Sequence, residues 1–242
     1  MRQKKKFSMQ KPWLSKSSIQ LYETCPYAFY LRFVEELEPP STPAQMQRGS
    51  RFHKWANTIY DKTNKKAILS GDVTVYSEIK KYIDSDDIVY ENFARMEQER
   101  WKNDPTEDFF PIRTEEFLED EELLYFGTYD RLDKDKDHYV VSDYKTGGFR
   151  EWKLSDYRFE LFGYKHLIEK NYDKYNVEKY CVIFPDSKRY YYDKFSKLTK
   201  NAFYNKVKRI RLKIKNRKFP KKGQCAFCFM SEVCAYNSEQ IK

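Results

Sequence analysis

The run ELLYFGTYDRLDKDKDHYVVSDYKTGG, residues 122–148, decides how the chain folds. Residues 122–133 and 138–145 are rich in aromatic and apolar side chains and flank a short, charge-dense link, the pattern of two consecutive strands. Strand side chains alternate between faces, so Val141, Asp143 and Lys145 share one. Asp130, at the end of the preceding strand, can stand beside Asp143. Two carboxylates this close repel unless a cation neutralises them. Their oxygens suit Mg²⁺ or Mn²⁺, and such an ion can bind a phosphate and lower the pKa of a bound water. Lys145 can orient that water or stabilise charge building on the phosphate. His53, in GSRFHKWAN, is a candidate further ligand at the edge of the site.

Working outward, PIRTEEFLED (111–120) is expected as a strand before this pair. LSDYRFELFGYKHLIEKN (154–171) has the composition of a helix, and VEKYCVIFP (177–185) and KRYYYDKF (188–195) read as two more strands turning at Pro185-Asp186-Ser187. Toward the N-terminus, LSKSSIQLYETC (14–25) predicts a helix capped by Ser15 or Ser17, and Pro26 fits the first turn of a second helix, CPYAFYLRFV (25–34). After the Pro-rich link EPPSTP, RGSRFHKWANTIYDK (48–62) predicts another helix, and residues 75–103 read as helical and charged. Residues 65–111 are taken as a helical insertion beside the core of one domain spanning residues 1–242. Strands, helix, strands is the order of an α/β core, here with helices at both ends.

The composition bounds the function. The chain has 242 residues and a net charge of +9. No apolar run approaches the roughly 18 residues needed to span a bilayer, and the basic start MRQKKKF lacks the apolar segment of a secretory signal. A soluble, cytoplasmic protein is the expectation. Lys197 to Lys222 carries twelve Lys or Arg and no acid, while the rest of the chain is slightly acidic. With Leu198, Ala202, Val207, Ile210 and Ile214 on an apolar face, this segment predicts a basic helix facing a polyanion. The 21 Tyr and 18 Phe supply faces on which unpaired bases can stack. No G-x-x-x-x-G-K-[ST] motif is present, which excludes a Walker-type motor.

Cys225, Cys228 and Cys234 stand in GQCAFCFMSEVCAYN. Their C-x2-C-x5-C spacing is that of metal ligands one cysteine short of a set, and Cys25 is the natural fourth. Zn²⁺ and an iron–sulfur cluster both accept four thiolates. Either would tie segment 223–236 to Cys25 and restrict a very long loop. Cys181, in EKYCVIF, reads as a packed thiol.

In this order the motifs resemble the RecB-like, iron–sulfur branch of the PD-(D/E)xK nuclease superfamily, which includes the nuclease module of AddAB-type helicase–nucleases and CRISPR-adaptation exonucleases. The likeness runs the length of the chain. LSKSSIQLYETCPYAFYLRFV resembles the opening segment, GSRFHKWA the histidine motif, GTYDRLD the G-x-x-D motif and DYKTGG the D-x-K core. The resemblance implies a restriction-endonuclease-like fold, a mixed central sheet flanked by helices with an iron–sulfur-stapled tail. It makes Asp130 and Asp143 metal ligands assisted by His53, Lys145 the catalytic lysine, and Cys25, Cys225, Cys228 and Cys234 the ligands of a structural [4Fe–4S] cluster, with Zn²⁺ as the alternative. One motif departs: where the family often has Q-x-x-x-Y, this chain has ELFGY, with Glu160 for Gln and Tyr164 kept. Residues four apart share a helix face, so both can look toward the site. Glu115 or Glu116 is a candidate upstream acid. The implied activity is metal-dependent hydrolysis of DNA, as an exonuclease on single strands or duplex ends. A helicase, recombination or CRISPR-adaptation partner and a homo-oligomer are compatible with it. The competing reading is a non-catalytic nucleic-acid-binding subunit of a recombination, repair or CRISPR complex.

Overall fold

The computed structural model describes residues 7–39, 42–222, 225 and 228–234. The start of the basic arm and parts of segment 223–236 lie outside the described residues. Five strands, β1 (Arg113–Asp120), β2 (Tyr125–Asp135), β3 (His138–Tyr144), β4 (Val177–Phe184) and β5 (Arg189–Lys194), form one sheet in sequence order. All neighbours are antiparallel except β3 and β4, which run parallel. A parallel pair needs a long crossover, and the helix α7 (Leu154–Asn171) supplies it. The sheet is therefore mixed and covered by helices on both faces, the α/β architecture expected from the order of elements.

Alternation along β3 and the second half of β4 builds two cores. Val141 and Val182 face a layer made by α1 (Lys16–Thr24), α2 (Pro26–Phe33), α7 and α8 (Lys197–Lys215). Val140, Cys181 and Ile183 face the opposite layer of α3 (Ala44–Lys62), α4 (Lys65–Leu69), α5 (Val75–Lys80) and α6 (Ile88–Asn103). Strands buried on both faces read as continuous apolar runs, which is why VEKYCVIF carries no polar alternation. Each fully buried Phe or Val contributes about 1.5–3 kcal/mol from removal of apolar surface from water. The helical segment 65–111 thus packs on the second face of the sheet. Cys181 is buried there, and burial pushes its thiol pKa up.

Two helices differ in detail from expectation. Residues 75–103 are not one helix, because α5 ends at Lys80 and α6 starts at Ile88. The break carries Asp84, Ser85, Asp86 and Asp87, short polar residues that compete with helical hydrogen bonds. Asp87 caps α6 by accepting from the Val89 N–H at 3.2 Å. On α8 the buried stripe is Phe203, Val207, Ile210 and Ile214, whereas Leu198 is 80% exposed. Phe203 fills that face in place of Ala202, meeting Tyr125 edge-on at 5.2 Å. That ring also explains a glycine inside α7: a Cβ on Gly163 would lie 2.5 Å from the Tyr125 hydroxyl.

The second layer is locked to the sheet by a buried polar network. Glu97 of α6 is fully buried. It accepts from Tyr60 at 2.5 Å, Tyr190 at 2.6 Å, Arg100 at 2.6 Å and Arg131 at 3.2 Å. Arg131, on β2, is also buried and donates to Asp133 at 2.7 Å.

Candidate active site

The sheet opens into a fork beside the second half of β3. The β1–β2 ladder continues to Asp120↔Tyr125, but the β2–β3 ladder stops at Arg131↔Ser142. Asp130 and Asp143 are the next residues beyond that last pair, so both stand where the two strands part. Side-chain alternation on β2 changes phase here. Tyr125 and Tyr129 face the α7 layer, and so does Leu132, with Arg131 turned to the other face. Opposite Asp130, Glu115 has φ +48° and is missing from the ladder. A left-handed residue at a ladder irregularity is a common way to re-aim a neighbouring side chain.

A cleft of about 1260 Å³ occupies the fork, and His53, Asp130, Asp143, Lys145, Glu160, Tyr164 and Lys16 line it. Asp143 Oδ2 is in ionic contact with Lys145 Nζ. Lys145 Nζ donates to Glu160 Oε2 at 3.1 Å, and Lys16 Nζ lies 2.9 Å from Glu160 Oε1. The Tyr164 hydroxyl points at the same oxygen from 3.4 Å. His53 Nδ1 stands 3.0 Å from Asp130 Oδ1, and the Tyr144 backbone N–H donates to Asp130 Oδ2 at 2.9 Å. Tyr157 lays its ring 5.6 Å from the Lys145 ammonium.

Local sequence fixes these positions. Gly127 of GTYD sits against α7, where a Cβ would come within 2.9 Å of the Tyr164 ring. The loop after Lys145 is held by Arg48, which donates to the Thr146 carbonyl at 2.9 Å and pairs with Asp87 and Asp186. Ser15 caps α1, and Leu14 bridges β2: its N–H donates to Leu124 O at 2.9 Å and its carbonyl accepts from Phe126 N at 3.0 Å. That bridge sets Lys16 at the rim of the site.

The electrostatics divide the carboxylates. Burial pushes the Asp143 pKa up, and the charge on Glu160 pushes it further. Burial also opposes ionisation of Glu160, but the ammoniums of Lys145 and Lys16 outweigh it and hold Glu160 below the usual carboxylate range. Burial alone would lower His53; Asp130 and Asp143 overcome that and raise it. Of Asp143 and Glu160, Asp143 is therefore the one that takes a proton first.

The other expected residues fall elsewhere. Glu116 is outside the cleft, paired with Arg113 at 3.1 Å and with the Tyr129 hydroxyl at 2.5 Å. Cys25 lies at the α1–α2 junction. Burial raises the Cys228 thiol, and the thiols of Cys25, Cys234 and Cys225 add to the rise, so each of the three is within electrostatic reach of Cys228. None forms a disulfide. Among the described residues, no three His, Cys, Asp or Glu side chains converge closely enough to hold a metal ion. Lys16, Tyr157 and Arg48 escaped the sequence reading. Their partners are distant in the chain, and a lone Lys or Arg carries no local signature.

Residues 13–235 match the family model of the PD-(D/E)XK nuclease superfamily. The chain belongs to that superfamily. The fork with Asp130, Asp143 and Lys145 is where this nuclease carries its G-x-x-D and D-x-K motifs. Its fold is similar to the crystal structure of a protein named "Putative exonuclease" from Eubacterium rectale, with a TM-score of 0.53 at 11% sequence identity. The alignment covers 96% of the nuclease and 93% of that chain. Comparison with curated proteins finds no match. Among the described residues of the nuclease, no helix is long and apolar enough to cross a membrane.

Proposed function

We propose that this nuclease is a divalent-metal-dependent deoxyribonuclease that acts on single-stranded DNA or duplex ends, with a [4Fe–4S] cluster held by Cys25, Cys225, Cys228 and Cys234. The observation that carries the catalytic reading is the convergence of two buried carboxylates, Asp130 and Asp143, with the Lys145 ammonium in one cleft. Two buried acids side by side, with one ammonium that Glu160 also claims, fit a cation site. Mg²⁺ is commonly held by one or two carboxylates, with water and phosphate oxygens completing its shell. Asp130 and Asp143 are then a sufficient contribution from the protein, with His53 fixing the orientation of Asp130. The ion would supply charge neutralisation and an activated water. Lys145, pinned between Asp143 and Glu160, holds a donor ready for charge that develops on the scissile phosphate.

The cleft exceeds the roughly 300–1,000 Å³ typical of small-molecule pockets, which supports a polymeric substrate. So does the exposed face of α8, with Lys200, Lys208, Arg209 and Lys213. Phosphate contacts release counterions, so binding should fall steeply with salt. For the cysteines, three thiols within electrostatic reach of Cys228 and no disulfide among them suit iron or zinc. The resemblance and the long separation of Cys25 from the other three favour the cluster. Iron and acid-labile sulfide analysis separates the two, and Cys25→Ala should lose both metal and stability.

The catalytic test is degradation of end-labelled single-stranded, linear duplex and circular DNA by anaerobically purified protein with Mn²⁺, Mg²⁺ or EDTA. Metal-dependent cleavage that spares circles and is lost in Lys145→Ala is expected. A cluster-loaded, DNA-binding protein that cuts nothing overturns the proposal in favour of a binding subunit.

A further inference from the structure

Glu160 is an unusual group to find in such a site. Its side chain is 4% exposed, and it adds a third carboxylate to a cleft that already holds Asp130 and Asp143. A buried carboxylate persists only when paired and hydrogen-bonded. Lys145 alone does not meet that need, because its ammonium is shared with Asp143. The second cation is Lys16, 2.9 Å from Glu160 Oε1 and 29% exposed at the cleft rim. Its helix is sewn to β2 through Leu14 and capped by Ser15, so the ammonium is delivered by a fixed backbone.

From this arrangement we infer that Lys16 is a positioning residue for the proposed metal-dependent reaction: it occupies one oxygen of Glu160, leaving the other to hold Lys145, and keeps Glu160 from turning to a cation bound at Asp130 and Asp143. The inference rests on that functional reading. Without Lys16, the Oε1 atom keeps only the Tyr164 hydroxyl at 3.4 Å. The freed carboxylate then draws Lys145 away from Asp143 or competes for the cation. Either displacement misplaces the one lysine that faces the reacting phosphate.

The test uses Lys16→Met, Lys16→Arg, Glu160→Gln and the Lys16→Met/Glu160→Gln double variant of the full chain. Two readouts are taken: steady-state cleavage of single-stranded DNA, and Mn²⁺ binding by calorimetry without DNA. Lys16→Met should lower kcat about tenfold with KM nearly unchanged. It should also bind Mn²⁺ several-fold more tightly, because a cation has left a site of three carboxylates. A merely damaged site would lose both activity and metal. Lys16→Arg, which keeps the charge, should restore most of kcat and the wild-type Mn²⁺ affinity. In the Glu160→Gln background, Lys16→Met should change kcat by no more than about twofold.

Equal losses from Lys16→Met in both backgrounds overturn the inference, as does a rise in KM alone, which would make Lys16 a phosphate contact. Unchanged Mn²⁺ affinity in Lys16→Met also overturns it. If the wild type cuts no DNA, the functional proposal fails by that result, while the Mn²⁺ measurements still decide whether Lys16 restrains Glu160.

Discussion

The two faces of the sheet each bury a carboxylate among cations, and they treat it in opposite ways. Glu97 on the α6 side is ringed by two guanidiniums and two tyrosine hydroxyls. Burial opposes its charge, but Arg100 and Arg131 prevail and lower its pKa to about 2. Asp143 on the α7 side faces one ammonium, which it shares with Glu160. Its pKa moves up by burial. A saturated carboxylate is a structural joint. An undersupplied one at the floor of an open cleft is poised to take a further cation. Ion pairing by itself does not mark function, whereas clustered acids with too few cations at an open cleft do.

The largest effect expected from this contrast is catalytic. Lys145→Ala and Asp143→Asn should each reduce DNA cleavage by about 10³-fold or more. Asp143→Asn should also melt at the same temperature as wild type or higher, since it removes a poorly paired buried charge. A marked fall in its melting temperature would place Asp143 with Glu97 among the joints.

Next in size is Glu97→Ala, which strands Arg131 in the core. Breaking a buried pair from one side typically costs about 3–5 kcal/mol, visible as a shift of the urea midpoint. A loss under about 1 kcal/mol, the scale of a surface pair, would mean that Tyr60 and Asp133 suffice for Arg131.

A smaller effect falls on the seam between site and scaffold. Gly127→Ala pushes a methyl to within 2.9 Å of the Tyr164 ring, and overpacking of this kind costs about 1–3 kcal/mol. Because Tyr164 borders the cleft, kcat should fall together with stability. Loss of stability with unchanged kcat would separate Tyr164 from the reaction.

The finest distinction is in pH dependence. A depressed folded-state pKa contributes stability above the unfolded value that is lost as the acid protonates. The deficit of Glu97→Gln relative to wild type should therefore be full at neutral pH and shrink as pH falls from the ordinary 4.5 toward about 2. A raised pKa has the opposite sign: ionised Asp143 opposes folding until it is protonated. Any gain from Asp143→Asn should be full only above the raised value of about 7, shrink as pH falls below it, and vanish at the ordinary 3.8. Urea midpoints across this range check both signs.

Much of this was legible in the sequence because it is local. The five strands, α7 and the motifs GTYD and DYKTGG declare themselves through alternation, helical composition and spacing within a few residues. The shared face of Asp143 and Lys145, and that of Glu160 and Tyr164, follow from the periods of strand and helix. What stayed hidden depends on long-range pairing. Nothing near Glu97 announces Arg131 as its partner, and nothing in LSKSS announces that Lys16 meets Glu160. His166 has no partner signal in its own stretch of sequence, yet it bonds Asp120 at 2.7 Å and Tyr204 at 2.9 Å and so ties α7 to β1 and α8. The break between α5 and α6 was visible in residues 84–87, but a continuous apolar period masked it.

The docking of the first helix against the last has a consequence in time. Tyr22 of α1 donates to the carbonyl of Lys218, and Lys206 of α8 pairs with Glu23 at 3.0 Å. A domain whose early residues close on its late ones has high contact order and folds slowly for its size. During synthesis, α1 leaves the ribosome long before α7 and α8 exist to receive it. A nascent chain that ends before α7 carries the D-x-K lysine but neither Glu160 nor Tyr164 to hold it. Cutting ability should therefore wait for α7 and α8 to be made, leaving chains that stop before them harmless to nucleic acid.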